Sequence, residues 1–171
     1  MTSITVVGVL QTAFTYTPQG RIATVTRTNL TGNGVPGQAH QTTYTYTLYG
    51  NGMVASVKIT PPDTTNTQTY TYDTLGNISS MTDGLNRVTT YNSYDGLGRP
   101  TRMTDMNGVI TDYVYTTREW LASKTVRANA NGTPSAVDAV TKYTFFNLPY
   151  DVITSVTDPD GNVIRFGSPI P

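Results

Sequence analysis

Cysteine is absent from the 171 residues, and His40 is the only histidine. A disulfide framework, thiolate metal sites and thiol catalysis are therefore excluded. Charged residues are also scarce, at 13% of the chain against about 25% in a typical domain, and the formal net charge is zero. Because lysine and arginine form no run, the sequence carries no electrostatic footprint for nucleic acid.

Long hydrophobic runs are missing as well. No apolar stretch approaches the roughly 20 residues that cross a bilayer as a helix, so we expect no membrane span. The opening segment MTSITVVGVLQTAF has an apolar patch but no basic region ahead of it, so we do not interpret it as a signal peptide. Export by another route, or release from a longer precursor, stays open.

Threonine and tyrosine supply the polar groups that the few charged residues do not. The chain has 34 threonines and 12 tyrosines, residue types that suit half-buried pleated strands. No stretch shows a sustained helical period with capping residues. The sequence therefore predicts an all-β protein with essentially no helix.

An internal repeat dominates the middle of the chain. The pattern that begins at Tyr72-Asp73 returns at Tyr94-Asp95, 22 residues later. A fixed period of about 20–50 residues indicates a repeat architecture. With insertions allowed, we predict one repeat region over 1–171 with about six copies, at 13–43, 44–69, 70–90, 91–112, 113–142 and 143–166. Loop insertions are predicted at 31–40, 61–68 and 128–139.

Each copy has two strand-like runs joined by turn residues. The first run is aromatic-x-aromatic, which puts both rings on one face of a strand, and we expect Tyr72 and Tyr94 to have equivalent packed environments. A turn of the form D-x-x-G follows, in which Gly76 and Gly98 should have positive φ. In the copy at 91–112 the aromatic spacing is three, and we predict a β-bulge near Asn92-Ser93. Copies of this form are consecutive antiparallel hairpins.

These residues resemble the YD repeat of Rhs proteins, which is shared with the B and C components of insecticidal Tc toxins and with teneurin ectodomains. The resemblance runs from about Phe14 to Phe166. The Asp is missing from the copies at 44–69, after Tyr46, and at 113–142, after Tyr115. The residues that carry the motif are Tyr72, Asp73, Gly76, Asp83, Tyr94, Asp95, Gly98, Arg99, Asp105, Gly108, Asp158 and Gly161.

The resemblance implies a sheet that spirals, hairpin after hairpin, as an arc or segment of a hollow shell or tube. Its implied partners are flanking YD repeats or copies of itself, and an enclosed toxin domain. The implied location is secreted or at the cell surface of a bacterial-type cell. Six copies are too few for a closed shell, and the family's self-cleaving segment is not found, so the chain is expected to be an excerpt or a short relative that assembles.

Catalytic residues are hard to find. His40, placed in a Gly/Pro-rich loop, and the single glutamate Glu119 have no neighbours that suggest a catalytic site. Asp158, Asp160 and Asn162 resemble the start of a calcium loop, but the glutamate such a loop requires is replaced by the Gly167-Ser168 region. Turn formation is the alternative explanation of Asp158. We predict no enzyme, no cofactor and no metal beyond this candidate.

The tyrosine rows leave two interpretations open. Tyrosine, threonine and asparagine line carbohydrate-binding faces, and they also stabilise sheets through cross-strand pairs. The leading interpretation is a structural wall, and the alternative is a carbohydrate- or cell-surface-binding module. The apolar segment Thr5–Leu10 has no charge and no gatekeeping proline, and the strand Asn162–Phe166 is almost as bare, although Pro169 and Pro171 would stop pairing just beyond it. We therefore expect both segments to pair with flanking repeats or another copy, head to tail.

Overall fold

The computed structural model describes residues 2–6, 9–146 and 152–167. It divides the chain into two compact units, Met1–Val88 and Thr89–Pro171, and each is described by itself. The described residues do not include Val7 of the apolar segment Thr5–Leu10, Asp151 of the copy at 143–166, or Ser168 beside the candidate calcium loop.

The first unit contains seven strands, and each pairs antiparallel with the next along the chain. The strands are β1 (Thr2–Val6), β2 (Leu10–Tyr16), β3 (Ile22–Asn29), β4 (Ala39–Leu48), β5 (Val54–Thr60), β6 (Gln68–Tyr72) and β7 (Ile78–Thr82). Threonine, valine and tyrosine fill these strands because branched and aromatic side chains pack well on a pleated surface.

The second unit repeats this arrangement, again with each strand paired antiparallel to the next. Its strands are β8 (Val88–Tyr94, starting at the unit boundary), β9 (Pro100–Thr104), β10 (Ile110–Tyr115), β11 (Leu121–Val126), β12 (Ala139–Phe145), β13 (Ile153–Thr157) and β14 (Val163–Arg165). The predicted all-β class of consecutive antiparallel hairpins is confirmed, and the described residues contain no helix. In particular, no helix in the described ranges has the length and apolarity that crossing a membrane requires.

The sheets have no hydrophobic core beneath them. No hydrophobic side chain among the described residues is buried, and the buried polar ones are Thr89 and Thr111. Most strand residues are half-buried by their neighbours on the same face. Stability in each unit therefore comes from ladder hydrogen bonds and from cross-strand side-chain pairs rather than from a second packed layer.

The copy at 44–69 is aligned differently from our prediction. We matched Tyr44-x-Tyr46 to the aromatic pair, but β4 continues to Leu48, and the turn runs from Tyr49 to Met53. Leu48 pairs with Val54 as Tyr72 pairs with Ile78. The turn fixes the alignment, so the pattern of this copy is Tyr46-x-Leu48, two residues later than we predicted.

One further prediction is corrected at the N-terminal side. His40 does not lie in a loop: it is an exposed residue of β4, opposite Arg27 of β3. The apolar segment Thr5–Leu10 contributes to two strands, because Val6 ends β1, Leu10 begins β2, and these two residues pair with each other.

Bulges are more frequent than the sequence indicated. The predicted bulge is confirmed at Asn92, because Tyr91 pairs with Met103 while Ser93 pairs with Arg102. The structure adds a bulge just after the turn in the second strand of every copy. The unpaired residues there are Ala23, Ala55, Ser79, Thr101, Ala122 and Thr154. A bulge bends its strand and increases the local twist, so each copy bends its sheet at the same place.

Candidate functional surfaces and the repeated turn

One five-residue turn closes hairpin after hairpin. In Asp73–Asn77, the Asp73 N–H donates to the carbonyl oxygen of Asn77 at 2.8 Å, and the Gly76 N–H donates to that of Asp73 at 3.1 Å. This is the three-residue hairpin loop whose last loop residue takes a left-handed conformation. The other turns with these two bonds start at Thr17, Tyr49, Asp83, Asp95, Asp105, Thr116 and Asp158.

The carboxylate of the first residue organises the turn. Oδ1 of Asp73 accepts hydrogen bonds from the N–H groups of Leu75 at 2.9 Å and Asn77 at 2.8 Å, and Oδ2 accepts one from Nδ2 of Asn77 at 3.0 Å. This hydrogen bond from the Asn77 side chain is the main cause that holds the pKa of Asp73 below its ordinary value. The motif aspartate is thus a local backbone clamp.

An arginine replaces the asparagine in three of these turns, and in the two that begin with aspartate it bonds the carboxylate. Nε of Arg99 donates to Oδ2 of Asp95 at 2.7 Å, and Nε of Arg87 donates to Oδ2 of Asp83 at 2.8 Å. These hydrogen bonds lower the pKa of both aspartates, and backbone hydrogen bonds add to the effect. Arg99 therefore belongs to the turn itself.

The fourth turn position always has positive φ. The predicted values at Gly76 and Gly98 are confirmed, at 89° and 77°, and Gly108 and Gly161 have 81° and 87°. Two copies place a residue other than glycine there: Asn86 has φ 60° and Glu119 has φ 71°. Side chains with a Cβ are disfavoured in this region, and asparagine tolerates it better than glutamate does.

The first unit has two chemically different faces. Cross-strand register places apolar side chains on one face and hydroxyl side chains on the other. The first face, which we call the aromatic face, includes Phe14, Val25, Tyr46, Val57, Tyr70, Tyr72 and Met81. On the opposite face, hydroxyls bond across strands in the pairs Thr15–Thr24 at 2.6 Å, Thr47–Ser56 at 2.6 Å and Thr71–Ser80 at 2.7 Å.

A shallow apolar depression of about 360 Å³ lies on the aromatic face. Its walls are Tyr46, Met53, Val54, Val57, Tyr72 and Gly76. Both tyrosine rings are half-buried, and the hydroxyl group of Tyr49 donates to the carbonyl oxygen of Tyr72 at 2.5 Å. The depression can accept a flat apolar surface, such as the face of a sugar ring or of a side chain.

Contacts near the turns connect neighbouring copies within each unit. In the first unit, Nη2 of Arg21 donates to the carbonyl oxygen of Gly52 at 2.9 Å. In the second unit, the guanidinium carbon of Arg99 lies 4.4 Å from the ring centroid of Tyr115, whose hydroxyl donates to the carbonyl oxygen of Pro100 at 2.9 Å. Nη1 of Arg99 is buried and has no hydrogen-bond partner. The cation–π contact with Tyr115 stabilises this guanidinium in place of a further hydrogen bond.

The second unit carries a four-member ion network. Asp112 of β10 accepts hydrogen bonds from Nε of Arg102 at 2.5 Å and from Nε of Arg127 at 2.7 Å. Arg127 also donates through Nη1 to Asp138 at 2.8 Å. The pKa of Asp112 is lowered chiefly by its hydrogen bond with Arg102, and the pKa of Asp138 is lowered to about 2 by backbone donors and Arg127. Sequence reasoning missed this network because its members are scattered over insertions and strands.

The residues considered for chemistry belong to different elements. His40 is on β4, in the first unit, and Glu119 is the strained turn residue of the second. In the candidate calcium loop, Oδ1 of Asp158 accepts bonds from the N–H groups of Asp160 at 3.0 Å and Asn162 at 2.8 Å, and Oδ2 accepts one from Nδ2 of Asn162 at 2.8 Å. Asp158 therefore has the same clamp geometry as Asp73. The described part of the chain contains no group of three acidic, histidine or cysteine residues suited to a metal ion.

Solved structures share the fold of this chain. The Tc holotoxin pore of Photorhabdus luminescens matches with a TM-score of 0.63 at 16% identity, covering 88% of this chain and 8% of that one. A TcdB2–TccC3 complex without its hypervariable C-terminal region matches at 0.64 and 16%, with the same two coverages. A complex of TcdB2–TccC3 with Cdc42 matches at 0.60 and 17% identity. This chain therefore spans less than a tenth of the length of these structures.

Comparison by sequence gives the family. No curated protein matches the chain. The family model described as Teneurin YD-shell matches residues 2–166, nearly the whole sequence. The match includes the turns, the aromatic pairs and both sheet units described above. The chain belongs to the Teneurin YD-shell family.

Proposed function

We propose that this chain is a non-catalytic structural module that forms part of the wall of a YD-repeat β-shell or tube. The observation that carries the proposal is the pairing of each strand with the next along the chain, within units whose described residues include no buried hydrophobic side chain. A sheet of this kind is one layer thick and has two different faces. Such a layer suits a wall that separates two compartments better than it suits a compact binding domain.

The role of the wall is enclosure or self-assembly at the cell exterior. The proposed partners are flanking YD repeats or copies of this chain at the open sheet edges, and a toxin domain on the enclosed side. Family membership and the fold shared with Tc toxin components support these partners. The same relationship supports the proposal of a secreted or cell-surface location.

The chemistry of the site residues supports a structural role. Asp73, Asp83, Asp95, Asp105 and Asp158 direct a carboxylate oxygen at the backbone of their own turns. A general acid or base needs a carboxyl group that is available to a substrate. Turn aspartates bonded in this way are occupied in holding the hairpins.

A second candidate function is binding of carbohydrate on the aromatic face. The observation in its favour is the depression between Tyr46 and Tyr72. Aromatic rings at a half-exposed surface supply flat apolar area at a low cost in conformational entropy. The same rings also fill the space between strands, which the wall requires.

Electron microscopy combined with a glycan array separates the two functions. For a wall module, negatively stained samples of the purified chain should show rings, arcs or ribbons, and the array should show no saturable binding. Compact particles together with saturable binding to one glycan class would overturn the proposal. In that case Tyr46→Ala should abolish the binding, and Tyr115→Ala, a tyrosine of the other unit, should serve as the control.

A further inference from the structure

The predicted insertion between β11 and β12 forms a loop at 128–138 that adds no strand to the sheet. Val126 of β11 pairs with Ala139 of β12 directly at the base of the loop. The backbone bonds inside the loop run from Gly132 to Asn129 and from Asp138 to Ser135. The ladder between the two strands is therefore complete without the loop.

Asp138 orders the loop from within. Its Oδ1 accepts a hydrogen bond from the Ala128 N–H at 2.8 Å, and its Oδ2 accepts one from the Ser135 N–H at 3.0 Å. The side chain of Asp138 is only 5% exposed. One carboxylate thus joins the two ends of the loop and is shielded from solvent while it does so.

Side chains attach the loop to the sheet. Arg127 bridges Asp138 at the loop and Asp112 on β10. At the loop tip, Nη2 of Arg102 donates to the carbonyl oxygen of Gly132 at 3.3 Å. Gly132 is buried, and a Cβ added to it would lie 3.1 Å from Cδ1 of Ile110. Glycine suits this position because its φ is 75° and because a Cβ would crowd Ile110.

We propose that residues 128–138 form a strap that is locked onto the sheet by Arg102, Asp112, Arg127 and Asp138, and that opens as a unit while the strands stay paired. Parts of a protein that lack ladder bonds open locally at a lower free energy than the strands beside them. The lock works because removing one partner of a shielded ion pair leaves the other charge uncompensated. Opening uncovers Ile110, against which Gly132 packs.

The strap couples strands that are not adjacent. It connects β11 and β12, yet Gly132 within it contacts Arg102 of β9, and Arg127 just before it contacts Asp112 of β10. In repeat proteins, stability is approximately a sum of the repeats and of nearest-neighbour interfaces. A contact that reaches beyond the nearest strand compensates locally for the missing core, and the strap provides one in the second unit.

Hydrogen exchange measured by mass spectrometry tests the strap at peptide resolution. The variants are Asp138→Asn, which keeps the shape of the side chain, and Arg102→Gln, which changes only the contact at the tip and the sheet side of the network. Asp160→Asn, in a turn outside the network, is the matched control. Peptides from the loop are compared with peptides from β10 and β11 in each protein.

In both variants, exchange in the loop should rise at least roughly tenfold while β10 and β11 keep their protection, as expected for local opening. The control should leave loop exchange unchanged. Unchanged loop exchange in both variants would overturn the lock. A joint rise in the loop and the two strands would overturn the strap, because it would show that the loop is an integral part of the sheet.

Discussion

The carbonyl oxygen of Thr65 lies 2.1 Å from the point that a Cβ on Gly84 would occupy. Real Cβ atoms do not approach backbone oxygens this closely, so only glycine fits. Thr65 belongs to the insertion between β5 and β6, and Gly84 is the second residue of the turn that begins at Asp83. The insertion therefore packs on a turn of the next copy, and glycine at position 84 makes the contact possible.

The chain offers a matched test of this contact. Gly84→Ala and Gly96→Ala change the same turn position, but the space around Gly96 is open to 4 Å. Gly84→Ala must displace backbone and should lower the free energy of unfolding by about 1–3 kcal/mol, the usual cost of overpacking. Gly96→Ala should be neutral or slightly stabilising. Urea denaturation of the two variants checks this, and equal midpoints would show that the insertion does not rest on Gly84.

Glu119 is a site of local strain. Its φ of 71° occupies the position that glycine fills in most of the other turns. Glu119→Gly should therefore raise the free energy of unfolding by about 1 kcal/mol, because the strain exceeds the entropy cost of glycine. Thr117→Gly, two residues earlier in the same turn, is the control and should destabilise. A thermal melt in which both variants lose stability would contradict the strain.

Much of the fold could be predicted from the sequence because the repeat specifies its own turns. The D-x-x-G pattern defines the hairpin ends chemically, since aspartate bonds the backbone and glycine provides positive φ. The alternation of aromatic and hydroxyl residues then predicts which side chains share a face. The predicted φ values at Gly76 and Gly98 and the bulge at Asn92 are confirmed for these reasons.

The features that could not be predicted are the bulges after the turns, the turn at Tyr49 and the ion network, and most of them depend on contacts between residues distant in the sequence. The bulges after the turns have no residue signature beyond small side chains such as Ala55 and Ser79, which also suit ordinary strands. The turn at Tyr49 lacks the aspartate, so its copy was misaligned by two residues. The network around Asp112 involves residues from several strands. Strand register decides which of these side chains meet, and a single sequence specifies the register weakly where insertions separate the strands.

Acid should weaken the Asp–Arg turns. The pKa values of Asp83 and Asp95 are lowered in the folded protein, chiefly by hydrogen bonds from Arg87 and Arg99. A lowered folded-state pKa gives stability that is present above the unfolded-state pKa, about 4, and is lost as the pH falls through the folded-state value. The urea concentration at the unfolding midpoint should therefore decrease as the pH is lowered from about 5 to about 2.

The asparagine variants test the cause of this pH dependence. Asp83→Asn and Asp95→Asn should be less stable than the parent at neutral pH and should lose less stability on acidification. Asp105→Asn is a useful comparison, because the fifth residue of its turn is Val109, which has no side-chain donor. If the two variants follow the parent's pH curve, the arginine contacts contribute nothing measurable.

Tyr72 and Tyr94 allow a test of how much the aromatic pairs contribute. Both rings are half-buried at the ends of their strands, opposite Ile78 and Pro100. Truncating a fully buried aromatic ring costs about 3–5 kcal/mol, and a loss near the lower end of that range is expected here because part of each ring is already exposed to water. Tyr72→Ala and Tyr94→Ala should therefore be similar in urea denaturation. A Tyr72→Ala protein as stable as the parent would favour the carbohydrate-binding function over the structural one.

The outer edge of β14 leads to the last prediction. In the described residues β14 pairs with β13 alone, and Ile164 is 63% exposed. An unpaired strand edge invites pairing with another chain, Arg165 is the single charged residue of β14, and a net charge of zero does not oppose the association. We expect the purified chain to associate head to tail, and such a contact closes into a ring or grows as a filament. Light scattering at tens of micromolar measures this association.

Two substitutions distinguish pairing at the strand edge from nonspecific hydrophobic association. Ile164→Lys places a charge on the edge strand and should shift the scattering mass toward that of the monomer. Val35→Lys is the matched control, because Val35 is 62% exposed but belongs to the connection between β3 and β4 and not to the edge strand. It should leave the assembly unchanged. A parent protein that stays monomeric, or a Val35→Lys variant that dissociates as fully as Ile164→Lys, would show that the edge of β14 does not drive assembly.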